Sequence, residues 1–94
     1  GNYWPTVVKV KNFYISDMRK YIYNHQKTIR PVDLYNHHNQ IKRKCLKKFY
    51  RTFKRNGSKE SLETYDLQLK TLVTEIDNAF VDFYNQNKKG IFPM

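Results

Sequence analysis

The chain has 94 residues and a formal net charge of +10, enough for one domain with a modest core. Only three Gly and three Pro argue against a turn-rich β fold, while eight Tyr, six Phe and one Trp argue against wholesale disorder. A single Cys excludes an internal disulfide framework and fits a reducing compartment, and no run of about 18 apolar residues is present to span a bilayer.

The N-terminus shows no charged region followed by an apolar block, so no signal peptide is read there. Charge is unevenly spread. Residues 1–57 hold fourteen Lys/Arg against Asp17 and Asp33, whereas residues 58–94 hold four against six acids. This predicts a basic segment lying on an acidic one, with surplus positive charge facing outward.

Residues 1–5 form a lead-in, from which Trp4 is expected to tuck onto the body of the domain. Val7, Val8 and Val10 are β-branched and would suit a strand. A lone strand would have no partner, however, and Val7, Val10, Tyr14, Met18, Tyr21 and Ile22 keep helical spacing. The first helix is therefore predicted over residues 6–24, with Thr6 as its N-cap.

A polar connection leads to Pro31, which suits a first helical turn, and to Asp33, well placed at the positive end of the dipole. Leu34, His38, Ile41, Cys45, Phe49 and Phe53 trace the inward stripe of a second helix over residues 32–55. Gly57 then serves as the left-handed residue past a helix end and Ser58 as the next N-cap, with Glu60 and Glu63 in the following turns.

The third helix is predicted over residues 59–89, closed by Gly90 and followed by the apolar tail Ile91-Phe92-Pro93-Met94. Leu62, Tyr65, Leu69, Leu72, Ile76, Ala79 and Phe83 fall on one stripe of it. At about 1.5 Å per residue such a rod reaches roughly 45 Å, too long for one small globule to wrap on all sides. The fold class is thus all-α: an up-down-up three-helix bundle with a long C-terminal helix.

Three residue sets bear on chemistry. The second helix carries a basic run that opens at Lys42, and Arg43, Lys44, Lys47, Lys48, Arg51, Lys54 and Arg55 form its outward face. They are a candidate interaction surface for phosphates of nucleic acid or an anionic membrane. A solvated face partly paired with the acids of the third helix carries more weight, because no short recognition helix follows a tight turn. His38 and Cys45 share a face and could form a metal corner. Two ligands alone are too few, and a rim histidine beside a buried thiol explains them better.

The acids Glu60, Glu63, Asp66, Glu75, Asp77 and Asp82 fall mostly off the apolar stripe, which favours salt bridging over paired-carboxylate catalysis. There is no phosphate-cradling Gly loop and no activated nucleophile pair. The residues make no case for an enzyme, a cofactor or a small-molecule substrate.

An ordered set of residues carries a resemblance. Lys11, Tyr14 and Met18 are followed by Pro31, Asp33, Leu34 and His38, then by Lys42 and Phe49; Glu75-Ile76-Asp77, Phe80, Phe83, Asn87 and Lys89-Gly90-Ile91-Phe92 come after the turn. Over about residues 10–92 the chain resembles the helical middle domain of atlastins, the dynamin-like GTPases that fuse endoplasmic reticulum membranes. Guanylate-binding proteins share the wider architecture.

The resemblance implies a non-catalytic three-helix stalk on the cytosolic side of the reticulum. Such a stalk docks on a GTPase head and pairs with a counterpart, so its partners would be a second copy or an atlastin-like GTPase. No catalytic residue of the family falls in the matching stretch. The chain departs from the pattern in three places. The start of the third helix is about one turn longer, only Gly57 stands where the family has a double Gly, and the tail before Ile91-Phe92 is one residue shorter. The 94 residues carry neither the phosphate loop of a GTPase nor the two membrane-spanning helices that follow the Ile-Phe end in the family.

Overall fold

The computed structural model describes residues 4–56 and 62–90. Three helices make up the fold: α1 (Pro5–His25), α2 (Pro31–Asn56) and α3 (Tyr65–Lys88). Pairs such as Tyr14 with His38 and Lys42 with Asp77 run α2 antiparallel to both neighbours, while Lys11 with Glu75 and Tyr14 with Phe83 set α1 parallel to α3. The result is an up-down-up bundle measuring 47 × 24 × 22 Å. No helix among the described residues is long and apolar enough to cross a membrane.

The valines of α1 are helical, because the spacing of Val7, Val10, Tyr14, Met18 and Ile22 buries all five against the other two helices. Its N-terminus is built differently from the prediction. Trp4 is the capping residue, with extended backbone and no side-chain cap, and Pro5 takes the first turn in place of a Thr6 cap. Trp4 is partly buried and packs against the core. Gln26, with φ of 50°, ends the helix in the left-handed conformation.

In α2 all six predicted inward residues are buried, from Leu34 to Phe53. Asp33 sits in its first turn and holds the Arg30 guanidinium at 2.7 Å. The basic face therefore lies opposite a continuous apolar stripe.

The third helix is where pattern and structure part. Residues 62–63 are helical, but Thr64 (φ −103°, ψ 5°) interrupts the run, and regular helix resumes only at Tyr65. The 24 residues of α3 are fewer than the 26 of α2, so the uninterrupted rod predicted from residue 59 is shorter. Leu62, counted in the inward stripe, is 64% exposed. Leu72, Ile76 and Phe83 are buried, and Tyr65, Leu69 and Ala79 pack against the core from its margin. Gly90, with φ of 75°, closes the end as predicted. The readings of Gly57, Ser58, Glu60 and the tail from Ile91 lie outside the described residues.

Two buried polar side chains replace apolar ones in α3. Gln68 donates to the Thr64 hydroxyl at 2.7 Å, across the interruption. Asn87 reaches the connection between α1 and α2. Its carbonyl oxygen accepts from the Ile29 N–H at 2.9 Å and its amide donates to the Ile29 C=O at 2.8 Å. A non-helical residue with a buried side chain thus has both backbone groups satisfied.

Candidate anion-binding groove between α1 and α2

At mid-height one polar joint ties the three helices. Burial, with Asp77 and Cys45 adding to it, lifts the Tyr14 hydroxyl well above its ordinary value of 10.0, so it keeps its proton and donates to His38 Nδ1 at 2.6 Å. That bond leaves the His38 proton on Nε2, which faces Asp77 at 3.6 Å. Lys42 holds both oxygens of Asp77 at 2.9 and 3.1 Å, and Phe80 stacks on the imidazole with centroids 4.2 Å apart. Lys11 and Glu75 add a longer ion pair at 3.8 Å. The Lys42–Asp77 pair is partly exposed and contributes about 0.5–1 kcal/mol; the buried hydroxyl–imidazole bond matters more for specifying register.

Burial lowers His38 below its ordinary 6.5 and Lys42 adds to this, against the opposing pull of Asp77. The folded chain therefore sheds a proton that the unfolded chain still binds just below 6.5. Stability is fully present above that value and falls as the pH drops from it toward the lowered folded value. Urea midpoints should fall from about pH 7.5 to about pH 5.5, and a His38→Gln variant, less stable throughout, should show a smaller fall. Equal falls in the two proteins would refute the assignment.

The metal corner suggested by His38 and Cys45 is engaged otherwise. His38 is committed to Tyr14 and Asp77, and the Cys45 thiol points at the Val10 carbonyl at 3.9 Å. Burial pushes that thiol up to about 11, with Asp17 adding and Lys48 opposing, which makes it a poor nucleophile. Among the described residues no three His, Cys, Asp or Glu side chains are placed to hold a metal ion.

The basic face of α2 behaves differently from the joint. Lys44, Lys47, Lys48, Arg51 and Arg55 line one wall of a groove of about 410 Å³ whose other wall is Lys9 and Phe13 of α1. Arg43 and Lys54 do not line it; Arg43 is exposed, and the Lys54 ammonium lies 5.9 Å from the Tyr50 ring centroid. Lys48 covers the Phe13 ring in the same manner at 5.3 Å.

Among the described residues no carboxylate lines this groove, and no ion pair reaches any of the seven cations of the outward face. The partial pairing with third-helix acids holds at Lys42, the first cation of the second-helix run, which takes Asp77, while Glu75 takes Lys11 of α1. Sequence reasoning missed Lys9 and Phe13. Their i, i+4 spacing was visible, but their position opposite α2 depends on how the two helices pack.

A larger cavity of about 600 Å³ sits by the α1–α2 connection, between Tyr21, His25, Arg30, Asp33 and His37. Most of its polar groups are engaged, Arg30 with Asp33 and His37 with Asp17 at 2.7 Å while stacked on Tyr21, which leaves Lys27 as a single lining cation outside the ion pairs of the described residues. The α1–α2 groove is therefore the better candidate for binding a charged ligand. Comparison with family models, with curated proteins and with solved structures returns no match for this chain.

Proposed function

We propose that this chain is a non-catalytic helical stalk, the counterpart of the middle domain of an atlastin-like membrane-fusion GTPase, acting through protein–protein contact on the cytosolic face of the endoplasmic reticulum. One observation carries the reading. The residues that bear the resemblance, scattered along the chain, meet in space as the contacts between helices. Lys11 meets Glu75, Tyr14 meets His38 and Phe83, Lys42 meets Asp77, and Asn87 holds the backbone of the α1–α2 connection. An ordered set of residues that converges in this way behaves as the signature of a packing arrangement rather than of a chemical site. The slim outline of the bundle suits a spacer between a head and a membrane.

Gel filtration with light scattering, alone and with an atlastin-like GTPase head loaded with a GTP analogue, tests this. The stalk reading expects self-association or a complex with the head. A strict monomer that binds no such head would overturn it.

A second reading is a small basic helical protein that binds nucleic acid or an anionic membrane through α2. It rests on the groove's cations, which no ion pair among the described residues reaches, and those cations also admit a more specific ligand.

A further inference from the structure

We propose that the groove between α1 and α2 is a binding site for a multiply phosphorylated anion, either free in solution or displayed as a lipid headgroup. Six cations converge on it from two helices: Lys9 on one wall, and Lys44, Lys47, Lys48, Arg51 and Arg55 on the other. On α2 they form two rows, Lys47-Arg51-Arg55 and Lys44-Lys48, each with steps of four residues. Neighbours in a row lie roughly 5–6 Å apart and repel one another. Of the α3 carboxylates, Glu75 and Asp77 pair with Lys11 and Lys42, which do not line this groove. The positive field is left for an external anion to neutralise.

Size and shape select among anions. A groove of about 410 Å³ falls within the roughly 300–1,000 Å³ typical of small-ligand sites. Single-stranded nucleic acid would want aromatic faces free for base stacking. Phe13 is the aromatic residue in the lining, and Lys48 already covers it. Arg51 and Arg55 offer planar forks that match phosphate oxygens two at a time, while the lysines act as point charges around them. Several phosphates on one compact scaffold use both walls at once. A single phosphate or carboxylate does not.

Calorimetric titration of the full chain with inositol hexakisphosphate tests the free form. Flotation with phosphatidylcholine vesicles, with and without phosphatidylinositol bisphosphate, tests the lipid form, and a duplex DNA arm tests the macromolecular alternative. Lys47→Glu/Arg51→Glu is compared with Lys20→Glu/Lys88→Glu, which makes the same charge change at exposed positions outside the groove. Thermal unfolding checks that both fold, and Lys47→Gln/Arg51→Gln carries the test if charge reversal disturbs α2.

The expected result is binding of the hexakisphosphate that weakens at least tenfold in the groove variant and less than threefold in the control. Binding to the phosphoinositide vesicles with the same loss identifies the ligand as lipid-borne; binding to the free anion alone identifies it as soluble. The proposal is overturned if the unmodified chain binds neither, if both variants lose affinity equally, or if duplex DNA binds more tightly than either phosphate ligand. The groove lies apart from the residues that join the helices, so its failure would leave the stalk reading standing.

Discussion

An Asn87→Ala variant should lose about 2–4 kcal/mol of stability, a large effect for one polar residue near the end of a helix. The side chain is 2% exposed and makes two hydrogen bonds to Ile29, at 2.9 and 2.8 Å. Truncation removes both partners and strands a backbone N–H and a C=O in a closed setting, and stranded buried groups cost about 1–3 kcal/mol each. Asn87→Asp sharpens the test. It keeps an acceptor for the Ile29 N–H but turns a carboxylate oxygen toward the Ile29 carbonyl, so it should lose at least as much at neutral pH. Urea unfolding at unchanged slope measures both. A loss under about 0.5 kcal/mol in either variant would mean that the clamp does not hold the connection.

Phe49→Ala should cost more, about 3–5 kcal/mol. Phe49 is fully buried where α2 meets the start of α3, with ring centroids 5.8 Å from Phe53 and 5.7 Å from Tyr65. Domains of this size have total stabilities of roughly 5–15 kcal/mol, so a cavity there removes a large share. Tyr50 is the natural control. One residue along it is 52% exposed, and its replacement by Ala should stay within about 0.5 kcal/mol. If the two variants unfold alike, the inward face of α2 has been assigned wrongly.

These two residues also mark what could be read from the chain. Phe49 belongs to a stripe whose period alone reveals it, because burial of α2 depends on which face is apolar. The α1 stripe was legible for the same reason, once the β-branched run at its start was taken as helical. Asn87 was not legible as a core residue. Its worth lies in a backbone partner 58 residues away, and no local pattern encodes that. Leu62 failed in the opposite sense. It keeps the period of the third helix, but Thr64 breaks the helix between it and the rest of the stripe, and it ends 64% exposed.

The site shows the same division. Five of the seven cations named from the second helix do line the groove, since helical spacing puts them on one face. Lys9 and Phe13 complete it from another helix, and their contribution depends on packing. Whether the third-helix acids would neutralise that face was likewise a tertiary question. Glu75 and Asp77 are drawn to Lys11 and Lys42, which lie closer to the joint around His38. The six cations of the groove thus lie outside the ion pairs that join the helices.

The most direct test of the stalk reading is exchange. Residues 10–92 would replace the middle domain of an atlastin-like GTPase between its head and its membrane anchor, and lipid mixing between vesicles carrying the chimera would be followed alongside GTP hydrolysis. The account predicts that GTP-dependent lipid mixing survives the exchange. A chimera that hydrolyses GTP at the parental rate and mixes no lipid would contradict it.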